Sequence, residues 1–181
     1  MTPRIPPLPA DQRTPDQQAL IEATGTELNI FTTLVRHPKL FEVFGRFAGR
    51  LLRRSALPEH IREALILRTA YRCRAPYEWA QHHEIARAIG MPDEVITAIG
   101  TDDPDLADPQ LALAIKAADQ LTTRRNLDDD TWAALREHYD DAQLIELCML
   151  VGNYAMIAGV LNALRVPLEA GQQPPAWYEM P

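Results

Sequence analysis

Prolines cut this chain into helix-length runs, and that punctuation constrains the fold more than any other feature. Proline lacks an amide N–H and clashes with the preceding turn, so it is tolerated at the start of a helix and disruptive inside one. Pro38 opens a run to about Arg54 in which Leu40, Phe41, Phe44, Phe47, Ala48, Leu51 and Leu52 recur at helical spacing. Arg46, Arg50, Arg53 and Arg54 fall on its other, solvated face. Pro58 starts the next helix, which buries Ile61, Ala64, Leu65, Leu67 and Tyr71. Pro76 breaks the chain near Arg74 and opens another helix that stops at Gly90. Pro92 begins a short helix to Gly100, and Pro109 one to about Thr122. Two shorter helices, Asp16 to about Thr24 and Asn29 to Val35, precede these. Asp128 to Asp130 cap a run through Tyr139, and Asp140 or Asp141 caps a long last helix over 142–164.

No segment sustains the period-two alternation of a strand, so the reading is all-α with no sheet. REALILR…HEIARAIGMP and AQLIELC…GVLNALRVP each read as helix, break or bend, helix, then proline, so an internal two-helix repeat is expected. At 181 residues the chain suits a single domain, 1–181. Residues 1–13 carry Pro3, Pro6, Pro7 and Pro9 and read as an extended arm, with Ile5 and Leu8 available to dock on a neighbouring subunit. Residues 171–181 form a proline-rich tail with Trp177 and Tyr178 as docking groups.

A net charge of -7 argues against nucleic acid or an anionic membrane as partner, since both reward basic patches. The two cysteines, Cys73 and Cys148, are far apart, form no CxxC, and read as small buried apolar residues rather than a disulfide framework or a metal site. No signal-peptide core follows MTPRIPPLP, and Glu146, Gly152 and Asn153 interrupt the most apolar stretch, so no membrane span and a cytoplasmic protein are expected.

Residues 62–91 hold the candidate chemistry. Glu63 lies early on one apolar helix; Glu78 and His82 are four apart on the next, where they share a face. A carboxylate beside an imidazole sets its tautomer and raises its basicity, and a second carboxylate nearby pushes one carboxyl pKa upward. Together they would make a proton shuttle, one group acting as base and one as acid. Glu-x-x-x-His pairs also occur on many solvated helix faces, so a purely structural role stands beside this reading. A metal is not expected: di-metal bundles use Glu-x-x-His on two helices, whereas the spacing here is longer and occurs once, and His83 points about 100° away from His82.

The run LPEHIREALILRTAYRCRAPYEWAQHHEIARAIGM, residues 57–91, resembles the carboxymuconolactone decarboxylase family, whose other branch is the alkylhydroperoxidase D-like proteins. The likeness extends more loosely through HPKLF and AQLIELCMLVGNYAMIAGVLNALRVPLE. It implies an alkylhydroperoxidase D-like helical bundle that assembles as a homo-oligomer, a trimer or hexamer, with sites near subunit contacts. In the peroxidase branch a glutamate is followed by CxxC and then a histidine. Glu63 matches the glutamate and His82 the histidine, while Ala75 and Glu78 stand at the cysteine positions. Cys73 falls before Pro76 and does not substitute. Thiol-dependent peroxide reduction is therefore not expected.

What the resemblance retains is the acid–base half of the site. It implies an enzyme of decarboxylase, lyase or isomerase type that needs no cofactor and acts on a small carboxylated or lactone substrate. His82 is expected as general acid/base, Glu78 as its orienter or co-acid and Glu63 as relay partner. Tyr77, Arg72 and Tyr154 are expected to bind substrate. Arg68 and Arg74 are further cation candidates that read more simply as surface groups, Trp79 reads as packing, and Asn153 either lines the pocket or satisfies a bend. An antioxidant oxidoreductase and a non-catalytic ligand-binding oligomer remain the alternatives.

Overall fold

The computed structural model describes residues 2–179, and every element among them is helical. After a 3-10 turn at Ala10–Gln12 come α1 (Pro15–Glu22), α2 (Asn29–Leu34), α3 (Pro38–Arg53), α4 (Glu59–Arg72) and α5 (Pro76–Ala88). Then follow α6 (Asp93–Ile99), α7 (Pro109–Arg124), α8 (Asp129–Arg136) and α9 (Asp141–Leu164). The bounds follow the local chemistry. Thr14 with Gln17 and Asp140 with Gln143 make capping boxes, Asp108 and Asp128 cap α7 and α8, and proline occupies the first turn of α1, α3, α5 and α7.

The core is built around α4, which packs against α5, α6, α7 and α9. All eleven residues from Ile61 to Tyr71 are buried, so the helix is enclosed on every side. That burial includes Arg62, Glu63 and Arg68, and each must be paired to be tolerated. Arg68, with no exposed surface, gives Nε and Nη2 to the two carboxylate oxygens of Asp119 (2.5 and 2.7 Å) and Nη1 to the carbonyls of Ile99 and Thr101 (2.8 and 2.5 Å). One guanidinium thus ties α4 to α7 and to the end of α6.

Three helices end on the same device. Arg74, Gly90 and Arg165 adopt positive φ, and the next residue's amide reaches back to a carbonyl five residues earlier: Ala75 to Ala70, Met91 to Ala86, Val166 to Leu161. Ala75, Met91 and Val166 are buried, and each precedes a proline. At α4 this reverses the chain so that α5 packs back on α4.

Some expectations change. The second half of the internal echo contains no break: α9 runs uninterrupted through Gly152, because an internal glycine weakens a helix without removing a hydrogen bond as proline does. The likeness of the two copies lies in their C-terminal caps. By length and mean hydropathy (1.9) α9 also passes for a membrane span despite Glu146 and Asn153; here it serves as a core helix against α4 and α7. The N-terminal arm docks on its own chain: Leu8 is buried with Ile21, Val35 and Phe41, and its amide donates to the Thr32 carbonyl (2.8 Å). Trp177 likewise packs edge-on against Tyr71 and Trp79 of its own chain, with centroids 5.3 and 5.4 Å away. Leu40, expected in the stripe of α3, is 61% exposed. Cys73 and Cys148 are half-buried rather than buried.

Candidate active site

Glu63 sits one turn into α4 with its side chain wholly enclosed, and α5 brings His82 against it. The His82 Nδ1 to Glu63 Oε2 distance is 2.7 Å, and Arg62 Nε donates to Glu63 Oε1 at 2.9 Å. Burial alone would raise the Glu63 pKa. The hydrogen bond and charge of His82, reinforced by Arg62, outweigh it and hold the carboxyl below its ordinary value. When the imidazole is neutral, the ionised Glu63 accepts a hydrogen bond from Nδ1–H and the ring's lone pair lies on Nε2, which has no hydrogen-bond partner among the described residues.

Glu78 is in the opposite state. Both of its carboxyl oxygens are buried without a hydrogen-bond partner, and burial pushes its pKa well above the ordinary value. Burial without a partner thus favours its protonated form. The sequence offered Glu78 as orienter or co-acid of His82 and Glu63 as relay partner; Glu63, not Glu78, is the carboxylate in hydrogen-bond contact with the ring, and Glu78 stands apart from it. Sharing a helix face is not enough for a hydrogen bond, and a carboxylate already fixed by Arg62 is the better acceptor.

Glu78 and His82 line one cavity of about 170 Å³. Asn153 and Tyr154 of α9 join them, and the remaining wall is largely apolar, from Ile30, Phe31, Phe44, Leu52, Ile85 and Ile157. The Asn153 Oδ1 is likewise buried without a partner. The Tyr154 ring meets His82 edge-on at 5.0 Å, and its phenol is pushed well above its ordinary range by burial, then by Glu78 and Glu63. Tyr154 thus lines the cavity, as does the Tyr77 ring. The Tyr77 hydroxyl, however, is committed elsewhere: it donates to Glu169 Oε1 (2.6 Å) and accepts from the Ile30 amide (3.1 Å). Burial and the Glu169 carboxylate raise its pKa strongly, so it acts as a latch between α2, α5 and the tail.

Arg72 does not reach the cavity. It binds Asp119 through Nε and Nη2 (2.6 and 2.9 Å), beside Arg68. Nine residues along an α-helix turn it by about 900°, two and a half turns, so it lies on the face of α4 opposite Glu63. Arg68 is likewise no surface residue. No arginine or lysine lines the cavity. Sequence reasoning missed Arg62, which looked like an ordinary helix arginine; its only signal was its place beside Glu63. It also missed the α2 and α3 wall, which nothing in residues 62–91 announces.

Among the described residues no group of three or more His, Cys, Asp or Glu side chains is arranged to hold a metal ion. Nor does a thiol line the cavity. Cys73 caps α4, and burial, followed by nearby Glu78, pushes its thiol up rather than toward the thiolate.

Residues 38–120 match the model of the carboxymuconolactone decarboxylase family. A search of the curated proteins finds no match. Several solved structures share the fold. One is the alkylhydroperoxidase AhpD core, uncharacterized peroxidase-related protein from Ralstonia eutropha JMP134, at TM-score 0.75 and 19% identity, covering 93% of each chain. A peroxidase-related protein from Silicibacter sp. TM1040 gives TM-score 0.74 and 16% identity over 97% of this chain and 91% of that one. The debrominase Bmp8, solved in complex with 2,3,4-tribromopyrrole, gives TM-score 0.69 and 20% identity over 94% of each. At these identities the likeness is one of fold.

Proposed function

We propose that this member of the carboxymuconolactone decarboxylase family is an acid–base enzyme, of lyase or isomerase type, acting on a small neutral substrate such as a lactone. The observation that carries the reading is the pairing of an oriented imidazole with an unpartnered, neutral carboxyl on one apolar cavity. His82 Nε2 takes a proton from a carbon next to a carbonyl, and the Glu63 carboxylate stabilises the imidazolium that forms. Glu78 donates a hydrogen bond, and then its proton, to the carbonyl oxygen as negative charge develops there. Return of the His82 proton to a different carbon, as Glu78 takes back the enol proton, completes an isomerisation; departure of a β-leaving group with the His82 proton, as Glu78 again recovers its own, completes a lyase reaction. Both steps are redox-neutral and need no thiol.

Of the two substrate types expected, the neutral one fits better. A carboxylate entering this cavity would find no arginine or lysine on its wall and would lose its hydration with little replacement. The volume, about 170 Å³, suits a single small ring; an apolar cavity of roughly 150 Å³ holds benzene.

The test is solvent exchange. A panel of small unsaturated lactones and cyclic ketones is incubated with the protein in D2O and read by mass spectrometry. We expect deuterium uptake into at least one member with the natural chain and none with His82→Ala. Equal uptake with His82→Ala, or none with the natural chain across the panel, would sink the assignment. Robust peroxide turnover with a dithiol reductant would favour the antioxidant alternative instead.

A further inference from the structure

A second cleft, of about 620 Å³, carries the cations that the first lacks: Arg4, Arg74 and Arg165 line it. Tyr77 and Leu161 wall both spaces. The rest of the cleft is mainly apolar, from Val166, Pro167, Leu168 and Tyr178, with one carboxylate, Glu179. The chain has 25 acidic residues against 18 lysines and arginines. Yet among the described residues none of these three guanidiniums forms an ion pair.

The backbone sharpens the point. Arg74 and Arg165 have φ of 53° and 54°, a conformation that glycine adopts freely and that an L-residue rarely takes. Arg125, at φ 61°, shares the conformation but uses its side chain locally, donating to the Thr122 carbonyl at 2.9 Å and so capping α7. Neither Arg74 nor Arg165 makes such a bond. Arg74 lies over the Trp177 ring at 5.5 Å, and Arg165 makes no side-chain hydrogen bond among the described residues. Arg4 donates to the Ala163 carbonyl (3.0 Å) and is held at the rim by that contact. Both arginines end their helices through the backbone alone, as Ala75 and Val166 donate back to Ala70 and Leu161, so their two guanidiniums have no capping task and line one apolar cleft.

We propose that this cleft binds a small organic oxyanion, a carboxylate or phosphate monoester with an apolar body. Arg74 and Arg165 hold the anionic group, and Val166, Leu168 and Tyr178 hold the body. The site is independent of the acid–base reading.

Calorimetric titration of the full chain with benzoate and phenyl phosphate tests it, with benzyl alcohol and inorganic phosphate as comparison probes. Saturable binding of at least one aromatic anion is expected, and benzyl alcohol and inorganic phosphate should each bind about tenfold more weakly or worse. The double substitution Arg74→Gly with Arg165→Gly should weaken the aromatic anion by about tenfold or more. Because glycine relieves the left-handed backbone, the melting temperature without ligand should not fall. Arg125→Gly should leave binding unchanged. Should the glycine pair fail to fold, Arg165→Gln carries the test with the same expected loss. No aromatic anion bound at millimolar concentration, binding unchanged in the arginine variants, or inorganic phosphate as tight as phenyl phosphate would each overturn the proposal. Benzoate against phenyl phosphate tells a carboxylate ligand from a phosphate one.

Discussion

Burial of Glu78 favours its protonated form, and this has a sign that stability measurements can read. Its ordinary pKa is 4.5, and burial raises it well above that in the folded chain. Below pH 4.5 folded and unfolded chains both hold the proton, so the group contributes no penalty. Above it the unfolded chain releases a proton that the folded chain retains, and stability falls by about 1.4 kcal/mol per pH unit until the folded value is reached. Glu63 and Asp119 act the other way: their folded values are lowered, so their contribution is present near neutrality and lost in acid. Glu78→Gln should therefore unfold at higher denaturant than the natural chain at pH 7.5, with the difference vanishing near pH 4, while proton exchange on substrate is lost. A variant that is no more stable at pH 7.5 would mean that Glu78 is hydrated or paired. Arg62 poses a different residue-scale question, since removing one partner of a buried pair costs about 3–5 kcal/mol. Arg62→Met should cost stability in that range, and adding Glu63→Gln should cost much less than the sum of the two single changes. Additive losses in urea titrations would show that the two side chains do not depend on each other.

At the scale of elements, the caps account for most of what sequence reading recovered. Helix starts at Pro38, Pro76 and Pro109 and the stop at Gly90 were legible because proline, glycine and capping carboxylates act within a few residues of themselves. Arg74 and Arg165 show the limit of that legibility. They end helices with the same geometry as Gly90, yet an arginine announces no left-handed residue. Gly90 tests the device cleanly. Its φ is +86°, and a Cβ added there meets nothing within 4 Å, so only the backbone conformation opposes a side chain. Gly90→Ala is expected to lower stability by about 1–2 kcal/mol without changing the fold. A loss near zero in chemical denaturation would mean that the end of α5 adjusts its conformation. The unbroken α9 has the same lesson from the other side. A glycine in a helix interior weakens a helix but does not decide its course, because neighbouring packing outweighs about 1 kcal/mol.

At the scale of the whole molecule, α9 leaves an apolar face uncovered. Ile145, Met149 and Met156 are 62%, 48% and 52% exposed, and exposed Gly152 and Gly159 continue the same heptad spacing. The homo-oligomer implied by the family resemblance needs such a face, and two copies of this helix would meet closely at the glycines. If the chain assembles through this face, Met149→Glu with Met156→Glu should lower the particle mass seen by light scattering; an unchanged mass would mean that this face makes no subunit contact. The wider comparison of sequence and structure turns on reach. The sequence by itself determined the helices, the family segment, the absence of cysteine at the two redox positions, and the shared helix face of Glu78 and His82, because these are written in the residues or depend on neighbours within a turn or two. Only the tertiary structure decided that Glu63 rather than Glu78 holds His82, that Arg72 belongs to Asp119, and that α2 and α3 close an apolar wall over the site. A carboxyl group becomes a base, an acid or a structural anchor according to how much water and which partner the packed chain leaves it, and that is settled by residues far away in sequence.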